Sequence, residues 1–155
     1  MPGPEAHELL IRPYRDEDFT EVTGLESAGV YERYQSAVFV RQMATLSPAT
    51  FLVAVSGKTV VGFTVGTIVQ DDPAQAWILR MMVRDGFRHQ VIGTALLRAV
   101  AGVLHGRSVK TIYLTVAPKN EPAVLMYLRE GFDQESLQPA YFGGGEDRLV
   151  MKRSS

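Results

Sequence analysis

Phe51-Leu52-Val53-Ala54-Val55 and residues 59–69 are two β-rich runs joined only by Ser56, Gly57 and Lys58. A short Gly-containing turn between two such runs lets the chain reverse and pair with itself, so this stretch predicts a β-hairpin. Residues 8–13 predict a shorter strand, stopped at Pro13. Asp16 is placed to cap a helix through about residue 27, with Phe19, Val22 and Leu25 at helical spacing. A second helix is expected over residues 31–46, its apolar positions Tyr34, Val38, Met43 and Leu46, closed by Pro48. The acidic turn Asp71-Asp72-Pro73 precedes a strand over residues 76–83. Residues 91–105 predict a helix with Ile92, Leu96, Val100 and Val103 along one side and Gly106 as its C-cap. A strand over 110–116, a helix over 121–130 with Gly131 as C-cap, and strands at 132–134 and 147–152 complete the chain. The predicted order is βααβββαβαββ, an α+β fold on a mixed, mostly antiparallel central sheet flanked by helices.

The 155 residues suit one domain, 1–155, and can bury a sizeable core. Sixteen Lys and Arg face seventeen Asp and Glu, a balance that gives no reason to expect a nucleic-acid partner. No cysteine is present, which removes disulfides, thiolate metal sites and a cysteine nucleophile together. No apolar run approaches the roughly 18 residues of a membrane helix, and the polar residues 1–8 do not read as a signal peptide. The expectation is a cytoplasmic protein with no membrane partner. No His, Asp and Glu cluster has metal-ligand spacing, so no metal is expected.

The most informative segment runs Met82-Val83-Arg84-Asp85-Gly86-Phe87-Arg88-His89-Gln90-Val91-Ile92-Gly93-Thr94. A strand ends, a basic loop follows, and an amphipathic helix begins near Val91. Backbone N–H groups at a helix start point outward with partial positive charge and suit a pyrophosphate. Arg88 adds a full charge and His89 a further donor. Gly93, lacking Cβ, allows backbone and phosphate to approach closely. The plain reading of the same residues is a solvated basic turn before an ordinary helix. A P-loop is excluded because no Gly-Lys-Ser/Thr follows, and the dinucleotide fingerprint does not match either.

This segment resembles the acyl-CoA signature of the GNAT superfamily of N-acyltransferases, Arg/Gln-x-x-Gly-x-Gly/Ala after a strand ending in Val. Arg88 and Gly93 occupy the outer positions and Val83 the strand end. Val91 stands where the family has its inner glycine. A side chain there narrows the loop, while the backbone donor remains. The resemblance implies coenzyme contacts at Val83, Arg88, His89, Gln90, Ile92, Gly93 and Thr94, with the backbone of Val91, and pairing of the strand end at Met82 and Val83 with the pantetheine arm.

A second constellation follows one helix and one strand later. Asn120 is a good N-cap, Pro122 is tolerated in the first helical turn, and Tyr127, seven residues after Asn120, lies near the same helix face. Singly, Asn120 is a cap and Tyr127 a partly buried aromatic. Together, Asn120, Ala123, Tyr127 and Gly131-Phe132 resemble the other conserved block of the same superfamily. The resemblance covers residues 10–151. The end of the chain, from Tyr141-Phe142 through Gly145 to Met151, is similar to the ends of protein N-terminal acetyltransferases.

The resemblance implies transfer of an acetyl group from acetyl-CoA to a primary amine by direct attack, with Asn120 and Tyr127 at the coenzyme and Tyr127 as general acid toward the leaving sulfur. A phenol with pKa near 10 stays protonated at neutral pH. The N–H of Met82 or Val83 could hydrogen-bond the thioester oxygen. Without cysteine, a sequential route is favoured over a Cys-based covalent intermediate. No base stands out. Strand 76–83 carries no carboxylate, and Thr115 occupies the place where some relatives have a glutamate. Glu26, Glu32, Asp71, Asp72 and Glu146 are candidates, each reading more simply as a solvated surface carboxylate. His7 and His105 read as a tail residue and a helix-end cation. A lysine amine is only about 0.04% neutral at pH 7, against roughly 10% for an α-amine, so lysine would need more help from a base. Small amines, antibiotics, amino acids, peptide or protein N-termini and lysines are all open as acceptors. Residues 29–47 and 138–146 are the expected selectors, and the Gly143-Gly144-Gly145 run reads either as a lid or as a plain flexible turn. Two other functions fit the residues: a catalytically silent acyl-CoA-binding regulator, motivated by Val91, and a protein-interaction domain retaining only the fold. Family analogy alone suggests a homodimer.

Overall fold

A computed structural model of the chain describes residues 8–27, 33–88 and 90–155. In chain order the elements are β1 (Leu9–Pro13), α1 (Phe19–Ser27), α2 (Arg33–Leu46), β2 (Phe51–Ser56), β3 (Thr59–Ile68), β4 (Gln75–Val83), α3 (Gln90–Gly106), β5 (Thr111–Val116), α4 (Glu121–Arg129), β6 (Asp133–Gln138) and β7 (Arg148–Ser154). Short 3-10 turns at Asp16–Asp18 and Pro48–Thr50 lead into α1 and β2. The strands form one seven-stranded mixed sheet in the order β1-β2-β3-β4-β5-β7-β6. Pairing is parallel between β4 and β5 and antiparallel in β1–β2, β2–β3, β5–β7 and β6–β7. The α+β order expected from the sequence is the order observed. The chain forms two compact units, one of Met1–Val65 with Arg80–Val100 and the other of Gly66–Leu79 with Ala101–Ser155.

In the first unit, Val53, Val61, Phe63 and Val65 of the hairpin strands are fully buried, as are Val22 of α1, Val40 of α2 and Leu96 and Leu97 of α3. Tyr14 stacks on Phe51 with ring centroids 4.5 Å apart. Arg12 closes a two-pronged ion pair on the buried Asp18 at 2.7 and 2.9 Å, and the Arg15 N–H donates to the same carboxylate at 2.8 Å. Burial alone would push the Asp18 carboxyl up. The Arg12 hydrogen bond, the Arg15 N–H and the Arg12 charge outweigh it and hold that group below its ordinary range. Asp18, not Asp16, therefore caps this helix entry. Asp16 is turned to solvent, 3.7 Å from Arg41.

The α2 face also departs from expectation. Tyr34 and Leu46 are exposed, Val38 and Met43 are half-buried, and the buried positions are Ser36 and Val40, one turn apart. The four apolar residues are spread around the helix, so packing selects a narrower stripe. Tyr31 lies outside the described residues. At the far end of α3, Gly106 is the last helical residue, not the cap. Ser108 takes the left-handed conformation (φ 70°), and its N–H donates to the His105 carbonyl at 3.0 Å.

The exit of β4 is fixed against β3. The Arg84 N–H donates to the Val61 carbonyl at 2.7 Å, and its guanidinium donates to the Val60 carbonyl at 3.0 and 2.8 Å. Gly62 lies between these elements. A Cβ built there would stand 2.8 Å from the Met82 carbonyl oxygen, 3.2 Å from Leu96 Cδ1 and 3.5 Å from Ile92 Cγ2. Any side chain at Gly62 would displace the β4 end or α3.

In the second unit, Gln75, Ala76 and Trp77 pair with Thr111, Ile112 and Tyr113, and Trp77 stacks on Tyr113 at 5.0 Å. Ile112, Leu114, Met126, Phe132, Val150 and Met151 form its core. β6 runs longer than the three residues expected. It ends the strand order, a register shift between Gln134 and Ser136 keeps it paired to β7, and its polar sequence Asp-Gln-Glu-Ser-Leu-Gln lacks the alternation that marks a strand.

Gly62→Ala should destabilise the protein by about 1–3 kcal/mol, since a backbone carbonyl cannot give way as a flexible side chain can. Urea unfolding would show this as a lower midpoint at unchanged slope.

Candidate active site

The segment expected to hold a diphosphate begins at the half-buried Met82 and Val83. Gly86 (φ 86°) allows the reversal that follows, closed by the Phe87 N–H on the Arg84 carbonyl at 3.0 Å. α3 then opens at Gln90, and its first N–H groups have no partner within the helix. Arg88 stands just ahead of them. Its Nε donates to the Val83 carbonyl at 3.1 Å, and its Nη2 lies 3.1 Å from Asp85. Both partners of that ion pair are largely exposed, 64% and 88%, so the pair holds weakly and the guanidinium can turn to an incoming anion. Val91, at the family's glycine position, is 70% exposed and faces solvent. Ile92 and Thr94 are half-buried and Gly93 is buried. His89 lies outside the described residues, and of Gln90 the backbone alone is described. Helix-start donors, a mobile guanidinium and a buried glycine fit a diphosphate, and so fit an acyl-CoA.

α4 carries the second set. Asn120 caps it, its Oδ1 accepting the Ala123 N–H at 3.4 Å, and Gly131 (φ 90°) ends it as expected. Tyr127 is buried, its ring edge-on to Phe132 at 5.9 Å. Burial pushes its phenol up to about 12. The hydroxyl is therefore a fully protonated donor across the physiological range. The structure thus gathers Met82, Val83, Arg88 and Gln90 through Thr94 in the first unit, and Asn120 and Tyr127 in the second.

The candidate bases sort sharply. Asp71, Asp72 and Glu146 are exposed, as expected. Glu32 and His7 fall outside the described residues. His105 lies in the last turn of α3, with Nδ1 2.9 Å from the Val109 carbonyl. Glu26 does not fit the expectation of a solvated carboxylate. It is 3% exposed and accepts a hydrogen bond from Arg80 Nε at 2.8 Å. Burial raises its pKa, against the opposing pull of the Arg80 hydrogen bond and charge. Its helix neighbours gave no sign of this. The signal lay in β4, where Arg80 is a lone charge in the run Trp77-Ile78-Leu79-Arg80-Met81-Met82-Val83. A buried strand with one cation predicts a buried anion opposite it. Among the described residues no group of His, Cys, Asp or Glu could hold a metal, and no helix is long and apolar enough to cross a membrane.

The family model described as Acetyltransferase (GNAT) family matches residues 5–132. The chain belongs to that family and is an acetyl-CoA-dependent N-acyltransferase. It is similar to an N-alpha-acetyltransferase of Sulfurisphaera tokodaii, 27% identical over 154 residues, covering 93% of this chain and 92% of the relative. It is also similar to the ribosomal protein bS18-alanine N-acetyltransferase of Escherichia coli, 28% identical over 104 residues, covering 65% of this chain and 68% of the relative. Among solved structures, Ard1 from Thermoplasma volcanium superposes with a TM-score of 0.83 at 25% identity, covering 94% of this chain and 97% of that one.

The Tyr127 phenol should leave a mark on alkaline stability. Its folded pKa of about 12 lies above the ordinary value of 10, so the folded state is fully favoured below pH 10 and loses stability as pH rises toward 12. Denaturant unfolding between pH 8 and 11.5 should show a steeper alkaline decline for the wild type than for Tyr127→Phe.

Proposed function

We propose that this chain, acting as a single acetyltransferase domain, moves the acetyl group of acetyl-CoA to an α-amino group at a peptide or protein N-terminus. The observation that carries the acceptor class is the likeness to the Sulfurisphaera N-alpha-acetyltransferase along nearly the full length of both chains. The E. coli relative, named for an alanine of a ribosomal protein, supports the same class. Amine chemistry agrees, since an α-amine is roughly 10% neutral at pH 7 and a lysine far less.

Bound acetyl-CoA supplies an activated thioester. The N–H groups of residues 90–94, including those of Gln90, Val91, Ile92, Gly93 and Thr94, together with Arg88 and His89, hold the diphosphate. The backbone at Met82 and Val83 aligns the pantetheine arm, and one of its N–H groups stabilises charge on the thioester oxygen as the amine attacks. Asn120 adds a polar contact beside its capping role. Tyr127 gives its proton to the departing sulfur. Burial pushes that phenol up to about 12, so its O–H stays protonated and available as a donor while charge develops on sulfur. Residues 138–146 supply selectivity: Tyr141 and Phe142 are exposed, their rings 4.9 Å apart, with the Arg148 guanidinium over Phe142 at 5.2 Å. Gly143 (φ 114°) and Gly145 (φ 81°) shape that turn.

Incubation with acetyl-CoA and a peptide panel, read by mass spectrometry, should place the acetyl group on the N-terminal amine and not on internal lysines. Preferred labelling of lysine or of small amines would contradict the acceptor reading. Tyr127→Phe should lower kcat about 10²–10⁴-fold and leave acetyl-CoA affinity within about threefold of wild type.

A further inference from the structure

Glu26 is buried in a way that structural burial alone does not explain. The other buried carboxylate among the described residues, Asp18, has both oxygens occupied, by Arg12 at 2.7 and 2.9 Å and by the Arg15 N–H at 2.8 Å. Glu26 uses only Oε1, on Arg80 Nε at 2.8 Å, while Oε2 is buried with no donor among the described residues. An ionised oxygen in that position is costly, and a cost of that kind persists where the group has a use.

Two further buried hydroxyls without partners among the described residues lie on α1 and on the helix packed against it. Thr23 lies three residues earlier on the same α1 face, and its buried Oγ1 has no partner among the described residues. On α2, which packs against α1, Ser36 is 1% exposed and its Oγ has no partner among the described residues. Ser36 stands one turn before Phe39, whose ring carries the Arg80 guanidinium at 4.8 Å. Three hydrogen-bonding atoms without partners among the described residues thus lie on the two helices that meet Arg80. Arg80 precedes Met82 by two residues on β4, about 7 Å along the strand. Glu26, Arg80, Phe39 and Met82 all belong to one compact unit.

We propose that Glu26 binds the ammonium of the acceptor and takes its proton, with the Thr23 and Ser36 hydroxyls as further acceptors. This rests on the acetyl-transfer reading and names the base that reading lacks. The ammonium passes one proton to the carboxylate and becomes a neutral amine. Its lone pair forms the C–N bond as the C–S bond breaks, and that electron pair leaves on sulfur. Tyr127 protonates the departing sulfur, and the second proton lost from nitrogen passes through water to the resulting phenolate and restores the phenol. The products are the amide, the free thiol and one proton, which Glu26 passes to water. Arg80 keeps the carboxylate in place through Oε1 and leaves Oε2 with unused acceptor capacity among the described residues.

Glu26→Gln tests this, since the amide oxygen can still accept from Arg80 while the NH2 group cannot take a proton. The acceptor is an alanine-initiated hexapeptide. At pH 6.5, where its amine is mostly protonated, kcat/KM should fall about 100-fold, and calorimetric affinity for the peptide about tenfold. At pH 9 the amine is already largely neutral, and the deficit should shrink at least tenfold. Affinity for acetyl-CoA should stay within about threefold of wild type. A purely structural ion pair would instead lower thermal stability and affect both substrates at both pH values alike, which would overturn the proposal, as would wild-type behaviour of the variant. A wild type that acetylates no peptide contradicts the proposed function, and the peptide affinities of wild type and variant then decide Glu26 by themselves. Should Glu26→Gln not fold, Glu26→Asp retracts the charge by one methylene and is read by the same measurements, with a tenfold or greater loss on the protonated peptide expected.

Discussion

The approach of the Met82 carbonyl to Gly62 sets the geometry on which the proposed coenzyme segment depends. With 2.8 Å between that oxygen and the place a Cβ would occupy, β3 can carry no side chain at this point. The same gap receives Leu96 and Ile92 from α3. One missing methyl group thus decides where β4 ends and how closely the following helix lies. Arg84 reinforces the arrangement by spending its backbone N–H and its guanidinium on consecutive β3 carbonyls. Of the two arginines in the loop, Arg84 is committed to the scaffold. Arg88, held by an exposed ion pair and one backbone contact, is free to meet an anion. Division of labour between neighbouring cations keeps the helix mouth rigid and its charge adaptable.

Buried charge is handled in two ways in this chain. Asp18 is saturated with donors, which lowers its pKa and ties β1 to the start of α1. Glu26 is half saturated: burial raises its pKa against the Arg80 hydrogen bond and charge, and one oxygen has no donor among the described residues. The same residue class under different hydrogen-bonding becomes a strut in one place and a candidate proton acceptor in the other. Tyr127 completes the set, since burial among apolar neighbours makes its phenol a donor that does not ionise near neutral pH.

The order of elements was legible because strands and helices here keep their periods over long runs, and because Gly57, Gly131 and Asn120 punctuate them where turns and caps occur. The family was legible from two short blocks, residues 83–94 and 120–132. What the residue pattern concealed was tertiary. Nothing in the sequence distinguishes Gly62 from any other glycine, since its need arises from a carbonyl twenty residues away. Asp16 and Asp18 look equally good as caps until Arg12 selects one of them. The α2 face could not be read from hydropathy, because a buried serine replaces an apolar residue on the packed side. Glu26 looked like surface until Arg80 was placed beside it, although a single cation within an apolar strand was a clue present from the start.

The central claim is that the strand end at Val83 and the first turn of α3 grip the diphosphate of the coenzyme. Backbone amide NMR of the protein titrated with acetyl-CoA tests it most directly. The largest shift changes should fall on the N–H groups of Val83 and residues 90–94, with the Arg88 side chain losing its contact to Asp85. Saturating coenzyme that leaves those amides unmoved, while others shift or none do, would contradict the account.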